Sequence, residues 1–371
     1  MLKWRFELGL VFLLSALLPQ PAAAIPLFAR QYGVTCGKCH SVIPHLNEFG
    51  AAFLASGDRI PGVQPGAAFP ISAKVNLVDS SANLGSGPDG AGLPKAIVDE
   101  IELFTAGAIG SRASYLVEQY VVDGGEPGLL HDAWVTDRLN PWSARIPVYV
   151  QGGQFTLPLP VDPETFRDTF QDYTPYTLTV GANPFNFKDP KMGLRAQFGD
   201  SLRGLSLQLF GGPGYDRGSE LPKTGVDTMV YGQDAMGPFT LSIYRYAGLR
   251  LLAGTVPDRF ERTGYGFTYG QWTRFSSEFV LENGWDTDCA VAGHTGCSSS
   301  GGFEQLRYAF TRRLFAEARY EGTSDPSGFT RDAVLLLGYG PSENSRATIE
   351  DVITHSPLTS NTMNAQFSIA Y

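Results

Sequence analysis

The chain has 371 residues, a formal net charge of -9 and a mean hydropathy of -0.09. That acidity argues against a nucleic-acid-binding role. Only 18% of residues are charged, while 43 Gly, 25 Pro, 24 Phe and 16 Tyr make the chain aromatic- and glycine-rich; such a composition fits transmembrane strands of ~10 alternating residues better than an ordinary soluble domain.

At the N-terminus, Lys3 and Arg5 precede an apolar run over 8–18, followed by Pro19, Pro21, Ala22, Ala23 and Ala24. A basic start, a short apolar core and a small-residue cleavage site read as a secretory signal peptide over 1–24. The expected mature chain begins at Ile25, and an uncleaved anchor is the alternative. No later run approaches the ~18 apolar residues that a membrane helix requires.

Next comes Cys36-Gly37-Lys38-Cys39-His40, a C-x-x-C-H sequence. Two thiols at this spacing can form thioethers to the two vinyl groups of one haem, with the adjacent imidazole as proximal iron ligand. We therefore expect one covalent haem c at Cys36 and Cys39, with His40 as the metal ligand. A zinc site would need a second Cys/His pair, and a redox dithiol would need a βαβ context; the sequence offers neither. About 28 residues separate His40 from the first expected strand at Phe69, too few to bury a core of their own. The segment 25–68 thus reads as a helical plug leaning on the following domain. Leu46, Phe49, Phe53 and Leu54 stand at helical spacing within 43–55, Gly57 ends that run, and Pro61, Gly62, Pro65 and Gly66 form the link. For the sixth iron position the candidates are His45 and His131, with five-coordinate or water-ligated iron as the alternative; no methionine lies near the motif, and the nearest, Met192, falls in the barrel. His294 and His355 fall in expected outer loops.

From 69 to 371 the pattern is period two, as in strands with one apolar and one wet face. Leu205, Leu207 and Leu209 alternate with Ser206 and Gln208. Phe275, Phe279, Leu281 and Trp285 alternate with Glu278 and Glu282, and Leu314, Ala316, Ala318 and Tyr320 with Phe315, Glu317, Arg319 and Glu321. In 362–371, Met363, Phe367, Ile369 and Tyr371 face away from Asn364, Gln366 and Ser368, and a strand ending on an aromatic resembles the C-terminal signature of outer-membrane barrels. Charges on the wet face fit a barrel lumen better than the dry interior of a sandwich. The expected fold is all-β, a transmembrane antiparallel barrel of about 16 strands with both termini periplasmic. The strands are placed at 69–79, 97–109, 112–122, 129–138, 147–157, 192–199, 203–212, 226–233, 237–248, 262–270, 274–285, 303–311, 313–322, 330–340, 345–355 and 362–371. Long loops are expected at 80–96, 158–191, 213–225, 249–261 and 286–302, alternating with tight turns. Cys289 and Cys297, in the Gly/Ser/Thr-rich loop of an exported chain, are expected to form a disulfide. Glu278, Glu282, Glu317 and Glu321 either attract cations or line a hydrated wall. If 158–191 contains a helix, Glu164, Asp168 and Asp172 share one face and could hold a labile cation.

The run Phe28-Ala29-Arg30-Gln31-Tyr32-Gly33-Val34-Thr35-Cys36-Gly37-Lys38-Cys39-His40, with Pro44, Leu46, Asn47, Phe49 and Gly50 after it, resembles the N-terminus of fused monohaem cytochrome–porins. That family includes outer-membrane Fe(II) oxidases of iron-oxidising bacteria. Gly152-Gly153-Gln154-Phe155 is similar to a recurring porin strand end. The resemblance implies that Cys36, Cys39 and His40 carry over. It also implies an electron-transfer oxidoreductase moving single electrons between Fe(II) or another extracellular donor and a periplasmic cytochrome or other carrier. A diffusion porin with a structural or redox-gating haem plug, a haem peroxidase or ligand sensor, and an outward electron conduit are the alternatives.

Overall fold

A computed structural model describes residues 26–66, 71–81, 96–200, 202–213, 225–252, 256–289 and 296–371. The expected signal peptide, His294 and the expected strand start at Phe69 lie outside the described residues. The dominant element is a closed antiparallel barrel of 16 long strands, each hydrogen-bonded to its chain neighbours and the last to the first. In order these are Ser72–Ser80, Ala96–Ile109, Ala113–Asp123, Leu130–Arg138, Val148–Phe155, Lys191–Gly199, Gly204–Pro213 and Val226–Met236, then Phe239–Leu252, Val256–Tyr269, Phe275–Asp286, Cys297–Ala309, Leu314–Asp325, Gly328–Ser342, Ser345–Ser356 and Leu358–Ala370. Closure pairs Lys74 with Ala370 and Asn364 with Ser80, so no long edge is left open.

The alternation read from the sequence becomes the two faces of the wall. Leu205, Leu207 and Leu209 are exposed, whereas Ser206 and Gln208 between them are buried. Phe275, Phe279, Leu281 and Trp285 point out, while Glu278 and Glu282 are buried inside. A second outward feature is aromatic. Phe239, Tyr269, Phe275, Tyr308, Phe310, Tyr339 and Tyr371 are exposed at the strand ends nearest the short turns, with Phe239–Tyr269 centroids 5.1 Å and Tyr308–Phe310 centroids 5.0 Å apart. An apolar band bordered by aromatics is what a barrel needs at a bilayer boundary.

Several connections depart from expectation. The loop expected at 249–261 is strand almost throughout, leaving only 253–255 between the strands, and the strand expected from 303 begins at Cys297. Both extensions lie beyond the apolar belt, so their sequence carries no lipid-facing alternation. The connections at 326–327 and 357 are tight although they lie at the long-loop end. His355 is the penultimate residue of a strand, its Nδ1 2.8 Å from Thr359 Oγ1, rather than sitting in a loop. Met192 is on the outer face.

The largest departure is 156–190. It does not project outward but folds into the lumen, where Leu157, Val161, Phe166, Tyr173, Tyr176, Phe185 and Phe187 join wall residues Tyr244, Tyr246, Phe260 and Phe303 in one core. Its single helix is Thr174–Thr177 rather than a turn carrying Glu164, Asp168 and Asp172. The inward charges explain this placement. Glu350 accepts bonds from the Phe170 and Gln171 amides, Glu321 accepts one from Thr174 N, and Arg319 donates to Thr169 Oγ1 and Gln171 O. Backbone groups buried inside a barrel must be satisfied by something, and here the wall supplies the partners. Glu278, Glu282, Glu317 and Glu321 are therefore buried under this loop rather than forming a hydrated wall. Cys289 and Cys297 are joined, their Cα atoms 6.1 Å apart, and they pack on Val180 of the inner loop.

Candidate haem-attachment site and the lumen cavity

The segment before the barrel is built around the C-x-x-C-H sequence. Helix α1, Pro26–Tyr32, was not expected; it ends where Gly33 adopts φ +63° and Val34 N bonds back to Ala29 O at 2.9 Å, a glycine-terminated helix end. The motif forms a 3-10 turn, Cys36–Lys38, followed by a small hairpin of His40–Val42 and His45–Leu46. Helix α2, Glu48–Ala55, is shorter than the spacing over 43–55 implied. Pro44 keeps the preceding residue out of helical geometry, and Asn47 starts the helix by accepting from Gly50 N at 3.0 Å.

Residues that carried the family resemblance turn out to hold the motif in shape. Asn47 Nδ2 donates to Gly37 O and Lys38 O at 3.3 and 3.1 Å, and Asn47 N donates to Cys39 O at 2.8 Å. Lys38 Nζ lies 4.2 Å from the Phe49 ring centre. A Cβ on Gly50 would lie 2.1 Å from Cys39 O, so glycine alone lets α2 sit this close to the motif. Phe53 packs edge-on against Phe28 at 4.9 Å and Tyr32 at 5.5 Å, joining α1 to α2.

The assembly docks at the short-turn end of the barrel. Gly37 N approaches Glu343 Oε2 at 3.3 Å, Arg59 donates to Ala113 O, Ser114 donates to Gly57 O, and Gln31 donates to Ala106 O. It also touches the inner loop: Leu46 N bonds Thr165 O at 3.3 Å, and His45 Nδ1 stands 3.7 Å from Asp168 Oδ2.

Cys36 is buried beside Ala29 and Val34, Cys39 is partly exposed, and neither is in a disulfide. Burial, opposed by Lys38, raises the Cys39 thiol above its ordinary range. His40 keeps some surface but is otherwise enclosed, and burial lowers its imidazole to about 4 despite the Pro44 contact. It is therefore neutral at pH 7. Its Nδ1 lies 3.0 Å from Pro44 O, which must accept a proton from it, and that tautomer leaves the Nε2 lone pair for a metal. The ring stands on the wall of two lumen cavities of about 460 and 470 Å³, each within the range that holds a small-molecule cofactor.

The structure does not assemble a histidine or methionine partner opposite His40. Among the described residues lining the two cavities there is no second histidine and no methionine. His45 is buried against Phe166 and Asp168, and burial, with Arg307 beside it, lowers its imidazole to about 3. His131 lies inside the barrel wall among carboxylates. Glu164, Asp168 and Asp172 go to separate partners: His131, Arg307 with Arg346, and Lys188 with Arg167. They do not form the shared face considered above.

These features define an outer-membrane-type β-barrel with its own N-terminal segment and one long loop packed against the inside of its wall. No family model matches the chain, and no curated protein matches it in sequence. Solved structures do match in fold. The anion-selective porin from Comamonas acidovorans covers 81% of this chain and 98% of its own, at a TM-score of 0.57 and 8% identity. Salmonella typhi OmpF, solved in complex with daunomycin, covers 81% and 97% at 0.58 and 11%. The outer-membrane channel DcaP of Acinetobacter baumannii covers 81% and 95% at 0.52 and 11%. The chain therefore has a porin-like fold.

Proposed function

We propose that this protein is an outer-membrane monohaem c-type cytochrome–porin fusion that moves single electrons between an extracellular donor, with Fe(II) as the candidate, and a periplasmic cytochrome or similar carrier. One observation carries the reading: His40, last residue of the C-x-x-C-H motif, directs Nδ1 to Pro44 O and lies on a cofactor-sized lumen cavity. Cys36 and Cys39 would hold the haem covalently and His40 would ligate its iron, and the group would supply one-electron chemistry. Asn47 and Gly50 fix the motif, Pro44 fixes the His40 tautomer, and His40 lines a lumen cavity. The position matters because a hydrocarbon layer is ~30 Å thick, and a carrier held wholly on one side would not meet a donor from the other.

A second reading is a diffusion porin whose plug is structural or redox-gating. The porin-like neighbours favour it. Proteoliposomes holding oxidised cytochrome c separate the two readings. Reduction of the enclosed cytochrome after external Fe(II), with little sugar-driven swelling, supports the conduit. Swelling without reduction supports the porin and overturns the conduit.

A further inference from the structure

In the fourth barrel strand the ladder pairs Glu118 with Asp132 but Gln119 with Leu130, so His131 is an extra residue. Such a bulge lets two successive side chains share a face that strict alternation would divide between them. Gln154 Nε2 steadies it by donating to Leu130 O and His131 O at 2.9 and 2.6 Å. His131 and Asp132 consequently both reach Glu118 on the neighbouring strand.

His131 is 4% exposed, and its buried Nδ1 has no hydrogen-bond partner, nor has Asp132 Oδ1. That nitrogen stands 3.6 Å from Glu118 Oε2 and 3.6 Å from Asp132 Oδ1. These separations are too long for hydrogen bonds. They suit two ligands on one ion, because metal–ligand distances of about 2.0–2.2 Å place adjacent ligands roughly 3–3.5 Å apart. On the opposite edge of the ring, Glu164 Oε1 lies 3.8 Å from Nε2. In the neutral tautomer with its proton on Nε2, the ring would turn an Nδ1 lone pair toward the two anionic oxygens. That juxtaposition calls for positive charge, either a proton on Nδ1 or a bound cation. The cations nearby are committed: Lys74 lies 2.6 Å from Glu102 and 3.7 Å from Glu100, and Arg195 interacts with Asp132, Asp162 and Asp58 together.

We propose that Glu118, His131 and Asp132 bind one divalent first-row cation inside the lumen, with Glu164 beside the far edge of the imidazole. Two carboxylate oxygens and one imidazole nitrogen suit Mn(II), Fe(II) or Zn(II) rather than a soft monovalent ion. Glu118, Asp132 and Glu164 line the same cavity as His40, so an ion held here would share that cavity with the motif histidine. Use of the ion as an electron donor rests on the function proposed above, but the site itself does not.

The test is Mn(II) binding to the full detergent-purified protein, followed by loss of the free-ion EPR signal. Wild type should bind one equivalent. Glu118→Gln with Asp132→Asn should weaken binding at least tenfold, while Glu278→Gln, elsewhere in the lumen, should leave it unchanged. Heat-modifiable migration in detergent gels identifies variants that remain folded. A Cys36→Ala/Cys39→Ala chain should bind the ion equally, which separates failure of this site from failure of the haem reading. A folded wild type that binds no Mn(II), or a double variant that binds as well as wild type, would overturn the proposal and leave protonated His131 as the compensating charge.

Discussion

Asp168 is the joint between the inner loop, the plug and the barrel wall, and Asp168→Asn tests that joint. The residue is fully buried, with Oδ2 2.6 Å from Arg307 Nε and Oδ1 3.3 Å from Arg346 Nη1. His45 of the plug stands 3.7 Å away. Burial opposes ionisation of Asp168, but Arg307 and the neighbouring cations outweigh it and hold the carboxyl below its usual range. Each charge-assisted bond contributes about 1.5–3 kcal/mol. Removing one member of a buried ionic network costs about 3–5 kcal/mol, because the remaining ions are left uncompensated. We therefore expect loop docking to weaken by about 3–5 kcal/mol, or roughly two to four decades in the docking equilibrium. Hydrogen exchange on the detergent-embedded protein should show this at the Phe170, Gln171 and Thr174 amides, whose acceptors are wall carboxylates. Strand amides should stay protected, and Asp168→Asn with Arg307→Met should recover part of the loss. Unchanged protection at the three loop amides in the single variant would refute the argument.

Three more outcomes follow from the same geometry. Gly50→Val should displace α2 from Cys39 O and sharply lower covalent haem yield, measured by haem staining of denaturing gels; full loading would show that the close approach is dispensable. Alkylation of denatured, unreduced protein should label no cysteine, and reduction should expose Cys289 and Cys297 alone; labelling of Cys36 or Cys39 in haem-loaded material would contradict thioether attachment. His45, lowered to about 3 from its ordinary 6.5, takes up a proton in the undocked plug before the docked one. Plug docking should thus be strongest above pH about 6.5 and weaken toward pH 3, by up to about 1.4 kcal/mol per unit. Acid titration of plug proteolysis reads this, and His45→Phe should remove that part of the slope.

The barrel was legible because lipid on one side and a polar lumen on the other impose period two. Leu205 to Leu209 and Leu314 to Glu321 therefore report their faces directly. Where strands rise above the lipid, as at Pro257 and Asp258 or Ser298 to Gly302, that constraint vanishes and so does the pattern. The inner loop was misread for a related reason: its apolar residues, Phe166, Tyr173, Tyr176, Phe185 and Phe187, have no regular spacing, and its polar groups resemble those of a solvated loop. The wall charges that receive it belong to distant strands. At the motif, spacing alone puts forward Cys36, Cys39 and His40 as a haem site, which stands as a proposal. The roles of Asn47, Gly50 and Pro44 were visible only as resemblance until their contacts were seen. The carboxylate cluster at His131 stayed hidden because adjacent residues are expected to face opposite ways, and only the bulge overrides that.

The central claim is most directly tested by the visible spectrum of the haem-loaded, detergent-purified protein before and after anaerobic mixing with Fe(II). The account predicts prompt appearance of a reduced c-type spectrum, lost in His40→Ala. Absence of covalent haem, or a haem that dithionite reduces and Fe(II) does not, would contradict it.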